Sequence, residues 1–245
     1  MEFQKYGKRG AYHWEAHSRS VRRHNPYLAA RYKLVLGSLR KAGLAGRDLL
    51  DIGCGDGALG YMLAKDGWRV RGLDYSGTGL GFAAEMFAAR DIPAMFVRGD
   101  SCSLPIKDGS MDAVVAADII EHLHEPGRLL LESYRVLRPG GAAVITTPVK
   151  LSETPADREH VREFTEAEFR AALLEIFSEV ELVLSHPAKY AARSNRTYRF
   201  FGLFGRLRPY KYLYNFMSSS VGRNPFLGPD DGSGFTQMTA ICRKK

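Results

Sequence analysis

Cysteine and long apolar runs are scarce in this sequence. Its 245 residues include three cysteines, Cys54, Cys102 and Cys242, spaced too widely to suggest a disulfide framework or a paired-cysteine metal site. No apolar run approaches the roughly 18 residues that a membrane span needs, and residues 1–9 are not followed by the apolar core of an export signal. We therefore expect a cytoplasmic protein with free thiols, either dissolved or peripheral at a membrane.

Acidic residues are absent from one long stretch. None occurs between Glu181 and Asp230, where eight cations lie: Lys189, Arg193, Arg196, Arg199, Arg206, Arg208, Lys211 and Arg223. Their number equals the net charge of +8, which leaves 27 basic and 27 acidic residues in the rest of the chain. Aromatic residues interleave with these cations. We expect this basic aromatic segment, 187–235, to form an insert that meets an anionic partner.

The remaining pattern predicts one α/β domain with a helical N-terminal cap at 1–46, a core at 47–186, the insert, and a last strand within 236–245. Strands are expected at 48–52, 69–73, 94–97, 113–117, 142–146, 179–185 and 236–243, and helices at 27–39, 58–66, 79–89, 126–137 and 165–177. Alternating strands and helices are typical of a parallel, doubly wound sheet.

A glycine-rich turn follows the first predicted strand, in the sequence Leu50-Asp51-Ile52-Gly53-Cys54-Gly55-Asp56-Gly57. Glycine at 53, 55 and 57 permits positive φ angles and lets the main chain approach a ligand closely. The following helix offers N–H groups that have no partner within the helix. The turn therefore predicts a cradle for an adenosine-type cofactor.

Polar residues also follow the later strands, and the ends of parallel strands meet at one edge of a doubly wound sheet. They are Asp74-Tyr75-Ser76, Asp100-Ser101-Cys102 and Asp118-Ile119-Ile120-Glu121-His122. We expect Asp74 to accept hydrogen bonds from ribose hydroxyls and Asp100 to accept one from an adenine amine.

Two cofactors remain open at this point. The run from Gly55 to Gly60 matches G-x-G-x-x-G with Asp74 about 20 residues on, which also suits NAD. A carboxylate at Asp51 disfavours a pyrophosphate but tolerates a sulfonium ligand that carries a free amine.

Taken together, the motifs resemble class I S-adenosylmethionine (SAM)-dependent methyltransferases of the small-molecule type. The likeness covers roughly residues 48–184 and includes the glycine turn, Gly72-Leu73-Asp74, Gly99-Asp100-Ser101-Cys102-Ser103-Leu104-Pro105, Asp108-Gly109-Ser110-Met111-Asp112, Asp118-Ile119-Ile120-Glu121-His122-Leu123 and Val136-Leu137-Arg138-Pro139-Gly140-Gly141. The resemblance implies a Rossmann-like seven-stranded sheet whose last strand, 236–243, is antiparallel.

The resemblance also implies site residues. Asp51, Gly53, Cys54, Gly55 and Gly57 would lie near the methionine moiety of SAM. Asp74, with Tyr75 and Ser76, would face the ribose, and Asp100, with Ser101 and Cys102, the adenine. Asp118 would lie beside the reactive methyl group.

Methyl transfer from a sulfonium needs alignment and, for some acceptors, a base. Similar enzymes often place histidines near the methyl at positions matching His122 and His160, so these two are the candidate bases. On that ground alone, oxygen is favoured over nitrogen or carbon as the methylated atom. No metal is expected, because the acids are assigned to the cofactor and no histidine–aspartate cluster is left over.

The acceptor and the role of the insert stay open. Residues 187–223 suit an anionic membrane surface and a lipid-linked or glycan-carrier acceptor, whereas a lid over an acidic small molecule suits the same composition. RNA is a third interpretation, weakened by the absence of an Asn/Asp-Pro-Pro-Tyr motif after the fourth strand. A non-catalytic SAM-binding scaffold is the alternative outside enzymes.

Overall fold

The computed structural model describes residues 5–155, 157–196, 198–199, 206–230 and 232–245. Seven strands form the main sheet: β1 (Asp48–Ile52), β2 (Arg69–Asp74), β3 (Met95–Arg98), β4 (Met111–Ala117), β5 (Leu137–Pro148), β6 (Glu179–Pro187) and β9 (Phe235–Arg243). Their order is β3-β2-β1-β4-β5-β9-β6, and β9 runs antiparallel to both of its neighbours. The predicted α/β fold with an antiparallel last strand is confirmed.

Helices flank this sheet and cap one edge of it: α1 (Lys5–Arg9), α2 (Tyr12–Ala16), α3 (Pro26–Ala42), α4 (Ala58–Lys65), α5 (Gly77–Ala88), α6 (Pro126–Val136), α7 (Glu166–Leu174), α8 (Ala188–Asn195) and α9 (Pro209–Ser219). Short 3-10 helices cover Ile120–His122 and Pro225–Leu227. A capping box opens α7, because the Thr165 hydroxyl accepts from the Glu168 N–H and the Glu168 carboxylate accepts from the Thr165 N–H.

One strand begins earlier than the sequence predicts. Strand β5 starts at Leu137, although the sequence placed Leu137 in the preceding helix and began the strand at Ala142. Leu137 pairs with Met111, and the register then shifts before Ala113 pairs with Ala142. Residues 138–141 therefore belong to the beginning of β5, which is irregular there. Gly140 takes a φ of +76°, which departs from the extended conformation of a regular strand.

The core has two layers, one on each face of the sheet. Alternate residues of β4 show the division: Val114 and Ala116 pack on the side of α6 and α7, whereas Ala113 and Val115 pack on the side of α3 and α4. Such two-sided burial is typical of parallel sheets with helices on both faces.

The N-terminal cap and the insert pack against each other. His24 Nε2 lies 2.8 Å from the Ser218 hydroxyl of α9, and the Asn215 amide donates to the Val21 carbonyl at 2.7 Å. The insert also contains a short strand pair, β7 (Tyr198–Arg199) and β8 (Arg206–Leu207). Residues 200–205 of the basic aromatic segment lie outside the described residues. Within the described part of the chain, no helix combines the length and the apolar character that a membrane crossing requires.

Candidate functional site at the carboxyl edge of the sheet

The glycine turn is anchored to the end of β2. The N–H groups of Gly53 and Cys54 both donate to the Leu73 carbonyl, at 2.7 and 3.1 Å, and the Gly55 N–H donates to the Asp74 carboxylate at 2.8 Å. Gly53, Gly55 and Gly57 take φ angles of +72°, +55° and +76°. Glycine is also required sterically, because a Cβ at Gly53 would lie 2.8 Å from the Ile119 side chain.

Asp74 organises the start of α5 beside this turn. Its second carboxylate oxygen accepts from the Ser76 N–H at 2.7 Å, while the Ser76 hydroxyl caps α5 by accepting from the Gly79 N–H. Burial raises the pKa of Asp74, and its hydrogen bonds from backbone N–H groups oppose that shift. A carboxylate oxygen can accept more than one hydrogen bond, so Asp74 keeps capacity for a ribose hydroxyl. Tyr75 is exposed next to it.

Asp51 has a buried oxygen without a hydrogen-bond donor in the described part of the chain. The residue is 1% exposed, and this oxygen is Oδ2. Burial, followed by the nearby charge of Asp74, raises the pKa of Asp51 to about 8. An unsatisfied carboxylate oxygen at the head of a glycine turn fits a ligand that brings a positive charge or an amine donor. The predicted cofactor SAM carries both.

The Asp100 loop lies next to Asp74. The Gly99 N–H donates to the Asp74 carbonyl at 3.1 Å, and the Asp100 carboxylate accepts from the Cys102 N–H at 2.8 Å. Asp100 is exposed, whereas Ser101 is buried. The structure therefore brings the first three predicted segments together at one edge of the sheet.

The N-terminal arm, residues 5–17, covers the glycine turn. Asp56 is fully buried and accepts from the His13 N–H at 2.9 Å, and the Trp14 indole donates to the Asp56 carbonyl at 2.6 Å. The Tyr6 hydroxyl occupies the space that a Cβ at Gly55 would need. Tyr6 lies outside every motif of the sequence, and the glycine turn that contains Asp56 does not indicate what its side chain contacts.

Asp118 is held by three elements that are distant in sequence. Its carboxylate forms an ion pair with Arg31 of α3 and accepts from Thr146 of β5 and from the Gln237 amide of β9, both at 2.6 Å. The residue takes a φ of +51°, which is uncommon outside glycine. Arg31 and Gln237 are site residues that the sequence did not single out.

Beyond Asp118, the two predicted bases lie together with a buried acid. The His122 and His160 rings are 5.0 Å apart, centroid to centroid, and Glu121 beside them is fully buried. Burial raises the pKa of Glu121 to about 7. Its Oε2 atom accepts from the Thr147 hydroxyl at 3.3 Å, while Oε1 has no partner among the described residues. The expectation of no metal considered histidine–aspartate clusters and took no account of this group, whose acid is a glutamate.

The raised pKa of Asp51 predicts a pH effect on stability without cofactor. In the unfolded chain this carboxyl loses its proton near pH 4, at a pKa of about 3.9, whereas the folded pKa is about 8. The folded state binds more protons between those values, so its stability falls as the pH rises. The side chain of Asp51→Asn stays neutral, so the variant does not lose this stability. Relative to the parent, its free energy of unfolding should rise by up to about 6 kcal/mol from about pH 4 to about pH 8.

Urea unfolding of the parent and Asp51→Asn across this pH range measures the difference. Asp91→Asn is the matched control, because it makes the same chemical change at an exposed carboxyl. Its profile should stay parallel to that of the parent. An Asp51→Asn profile that is also parallel would contradict the raised pKa.

Comparisons with known proteins agree with this geometry. Residues 50–145 match the family model described as a methyltransferase domain. The chain is 36% identical over 142 residues to a Mycolicibacterium smegmatis protein named a probable S-adenosylmethionine-dependent methyltransferase, which covers 56% of this chain and 54% of the relative. The chain thus spans about half the length of the curated relatives it matches.

Two solved structures share the fold. One is the Haemonchus contortus phosphoethanolamine N-methyltransferase 2 bound to S-adenosyl-L-methionine, with a TM-score of 0.64 and 19% identity over 100% of this chain and 60% of that one. The other is the [4+2]-cyclase SpnF, with a TM-score of 0.60 and 22% identity over 87% of this chain and 81% of that one. The family match over residues 50–145, the strand order and the glycine turn agree, so this part of the chain is similar to the class I S-adenosylmethionine-dependent methyltransferases.

Proposed function

We propose that the protein transfers the methyl group of SAM to an oxygen atom of a small-molecule or lipid-linked acceptor. The observation that carries this proposal is the polar cluster of Glu121, His122 and His160, which follows Asp118 at the same edge of the sheet as the glycine turn. This cluster would meet an acceptor hydroxyl that must lose its proton.

The cofactor half of the proposal rests on the residues around the turn. Asp51 would offer the methionine end a carboxylate oxygen to which no described residue donates, and Asp74 would offer acceptor capacity to the ribose. Asp118 would lie near the reactive methyl, where the Arg31, Thr146 and Gln237 contacts fix its carboxylate. Fixed groups of this kind favour alignment of donor and acceptor, which accounts for much of the acceleration in methyl transfer.

In the proposed step, the acceptor oxygen attacks the methyl carbon while the carbon–sulfur bond breaks. The bonding electron pair goes to sulfur, which leaves S-adenosylhomocysteine, and the hydroxyl proton goes to a base. His122 and His160 are the proposed bases when the cluster holds no ion, since histidine exchanges protons near neutral pH.

Nitrogen is the main alternative acceptor atom. The Haemonchus neighbour is named for N-methylation, and an amine needs no base once it is neutral. RNA is a weaker alternative, since the chain carries Asp118-Ile119-Ile120-Glu121 where base amino methylation would call for Asn/Asp-Pro-Pro-Tyr. An NAD-dependent reaction has no support in the family match, which is to methyltransferases.

A lipid-linked acceptor is favoured by an exposed face of α9. Tyr212, Leu213 and Phe216 are 46%, 48% and 49% exposed, and their spacing places them on one side of the helix. Arg208 and Arg223, also exposed, flank this helix. Exposed aromatic and aliphatic side chains beside cations suit an anionic membrane surface. We propose that α9 contacts such a surface when the acceptor is lipid-linked.

Asp74→Ala should weaken SAM binding by about 2 to 3 kcal/mol, or about 30- to 150-fold, because charge-assisted hydrogen bonds to the ribose are lost. Isothermal titration calorimetry measures the affinity. Glu85→Ala removes an equal charge from the exposed face of α5 and should leave the affinity unchanged. An unchanged affinity in Asp74→Ala would contradict the ribose assignment.

The acceptor atom can be read directly from the product. The protein is incubated with SAM carrying a carbon-13 methyl group and with either the aqueous or the lipid extract of its native host. We expect a new methoxy carbon signal that Asp74→Ala forms more slowly at limiting SAM. An N-methyl signal would overturn the choice of oxygen. SAM binding without any methyl transfer would favour a non-methylating role, such as that of the cyclase neighbour.

The α9 contact predicts that Leu213→Ser combined with Phe216→Ser lowers binding to phosphatidylglycerol vesicles by about tenfold or more, because buried apolar area is lost. Vesicle co-sedimentation measures the binding. Leu174→Ser changes a side chain that is 50% exposed on α7, away from this face, and is the matched control. Equal losses in both variants would argue against a specific role for α9.

A further inference from the structure

We propose that Glu121, His122 and His160 form a binding site for a divalent transition-metal ion of the zinc class. One ligand atom from each residue lies within 4.8 Å of the other two. Tetrahedral ligands at about 2.1 Å from a shared zinc ion lie about 3.4 Å apart, so side-chain shifts that shorten the ligand separations by up to about 1.4 Å would close the site.

Both imidazole rings have a hydrogen-bond partner at Nδ1, an arrangement that suits metal binding through Nε2. His122 Nδ1 lies 2.8 Å from the Glu159 carbonyl, and His160 Nδ1 lies 2.8 Å from the Glu163 carboxylate. A carbonyl oxygen only accepts, so His122 Nδ1 must carry the proton, and the carboxylate favours the same tautomer in His160. The lone pair then sits on Nε2 of each ring. Metal-binding histidines commonly donate their other N–H to such partners.

Glu121 provides an independent indication that a cation binds at this cluster. The side chain is fully buried, Oε2 accepts from Thr147, and Oε1 has no partner among the described residues. A buried oxygen without a donor costs free energy that a cation would recover. Arg31 has a favourable electrostatic effect on this carboxylate, but its ion pair is with Asp118 and it donates no hydrogen bond to Oε1.

The ligand set selects the kind of ion. Two imidazoles and one carboxylate suit zinc, cobalt, nickel or iron, whereas magnesium and calcium prefer oxygen ligands throughout. Three protein ligands also leave a coordination position open, as in catalytic zinc sites. The chain therefore favours an ion that can bind one further small oxygen ligand.

The consequence for catalysis rests on the proposed function. An acceptor hydroxyl on the open position would have a lowered pKa and would release its proton to water before it attacks the methyl group. His122 and His160 would then act as ligands instead of bases. Metal binding itself does not depend on this step, and it is tested without turnover.

Cobalt(II) is the probe, because its visible absorption changes when imidazole and carboxylate replace water. We expect one cobalt ion per chain, an absorption band displaced by zinc, and paramagnetically shifted ring signals from two histidines. The two-histidine signature needs no variant, so it tests the site even if a substitution prevents folding. A spectrum that stays that of the aqueous ion would overturn the proposal.

Variants then identify the ligands. His160→Ala and Glu121→Gln should each weaken cobalt binding by about 100-fold or more. Removing the hydrogen-bond partner of a metal ligand usually weakens metal binding by about 10- to 100-fold, and removing the ligand itself should weaken it further. His124→Ala is the matched control, because it removes an exposed histidine two residues from His122. Circular dichroism and SAM affinity report whether each variant is folded. Equal binding in the control and both ligand variants would place the ion elsewhere and overturn the proposal.

The same data separate this proposal from the proposed function. A cobalt band that depends on His160 and Glu121 stands even when no methyl product forms. If the protein transfers methyl groups but binds no cobalt, the proposed function stands and the metal proposal is overturned.

Discussion

A single carbonyl group, that of Leu73, holds the glycine turn in place by accepting two hydrogen bonds, from the Gly53 and Cys54 N–H groups. Strand β2 therefore fixes the turn that follows β1. The Asp74 carboxylate adds a third hydrogen bond from Gly55, and its neighbour Ser76 caps α5. The predicted cofactor residues that follow two strands are thus joined by hydrogen bonds into one unit, and the arm, the Asp100 loop and α5 all contact it.

The carboxyl edge carries two buried acids, Asp51 and Glu121, each with one carboxylate oxygen that has no partner among the described residues. An ordinary core would replace both with apolar residues, because each unsatisfied oxygen destabilises the fold. Both acids instead lie where the polar groups of the site converge. Local violations of packing rules of this kind are expected at functional sites, where the ligand supplies what the protein leaves out.

The sequence predicted the local parts of this structure well. The bounds of β1 at Asp48–Ile52 and the glycine turn follow from short patterns in which a few adjacent residues decide the conformation. Contacts between distant segments were not predictable. Arg31 is one of many cations until the fold brings it to Asp118, and Glu121 becomes a candidate ligand only once the 159–163 segment folds back beside it. The resemblance supplied the number of strands and the antiparallel direction of the last one, because pairing of distant strands leaves no local pattern.

The position of β9 between β5 and β6 affects how the sheet assembles. Strand β6 precedes β9 in the chain and lies at the sheet edge, where β9 is its partner. Until β9 is in place, β5 and β6 each leave one row of backbone N–H and C=O groups unpaired. Such edges can pair wrongly with each other or with another chain. Chaperone contact before β9 inserts would protect both edges.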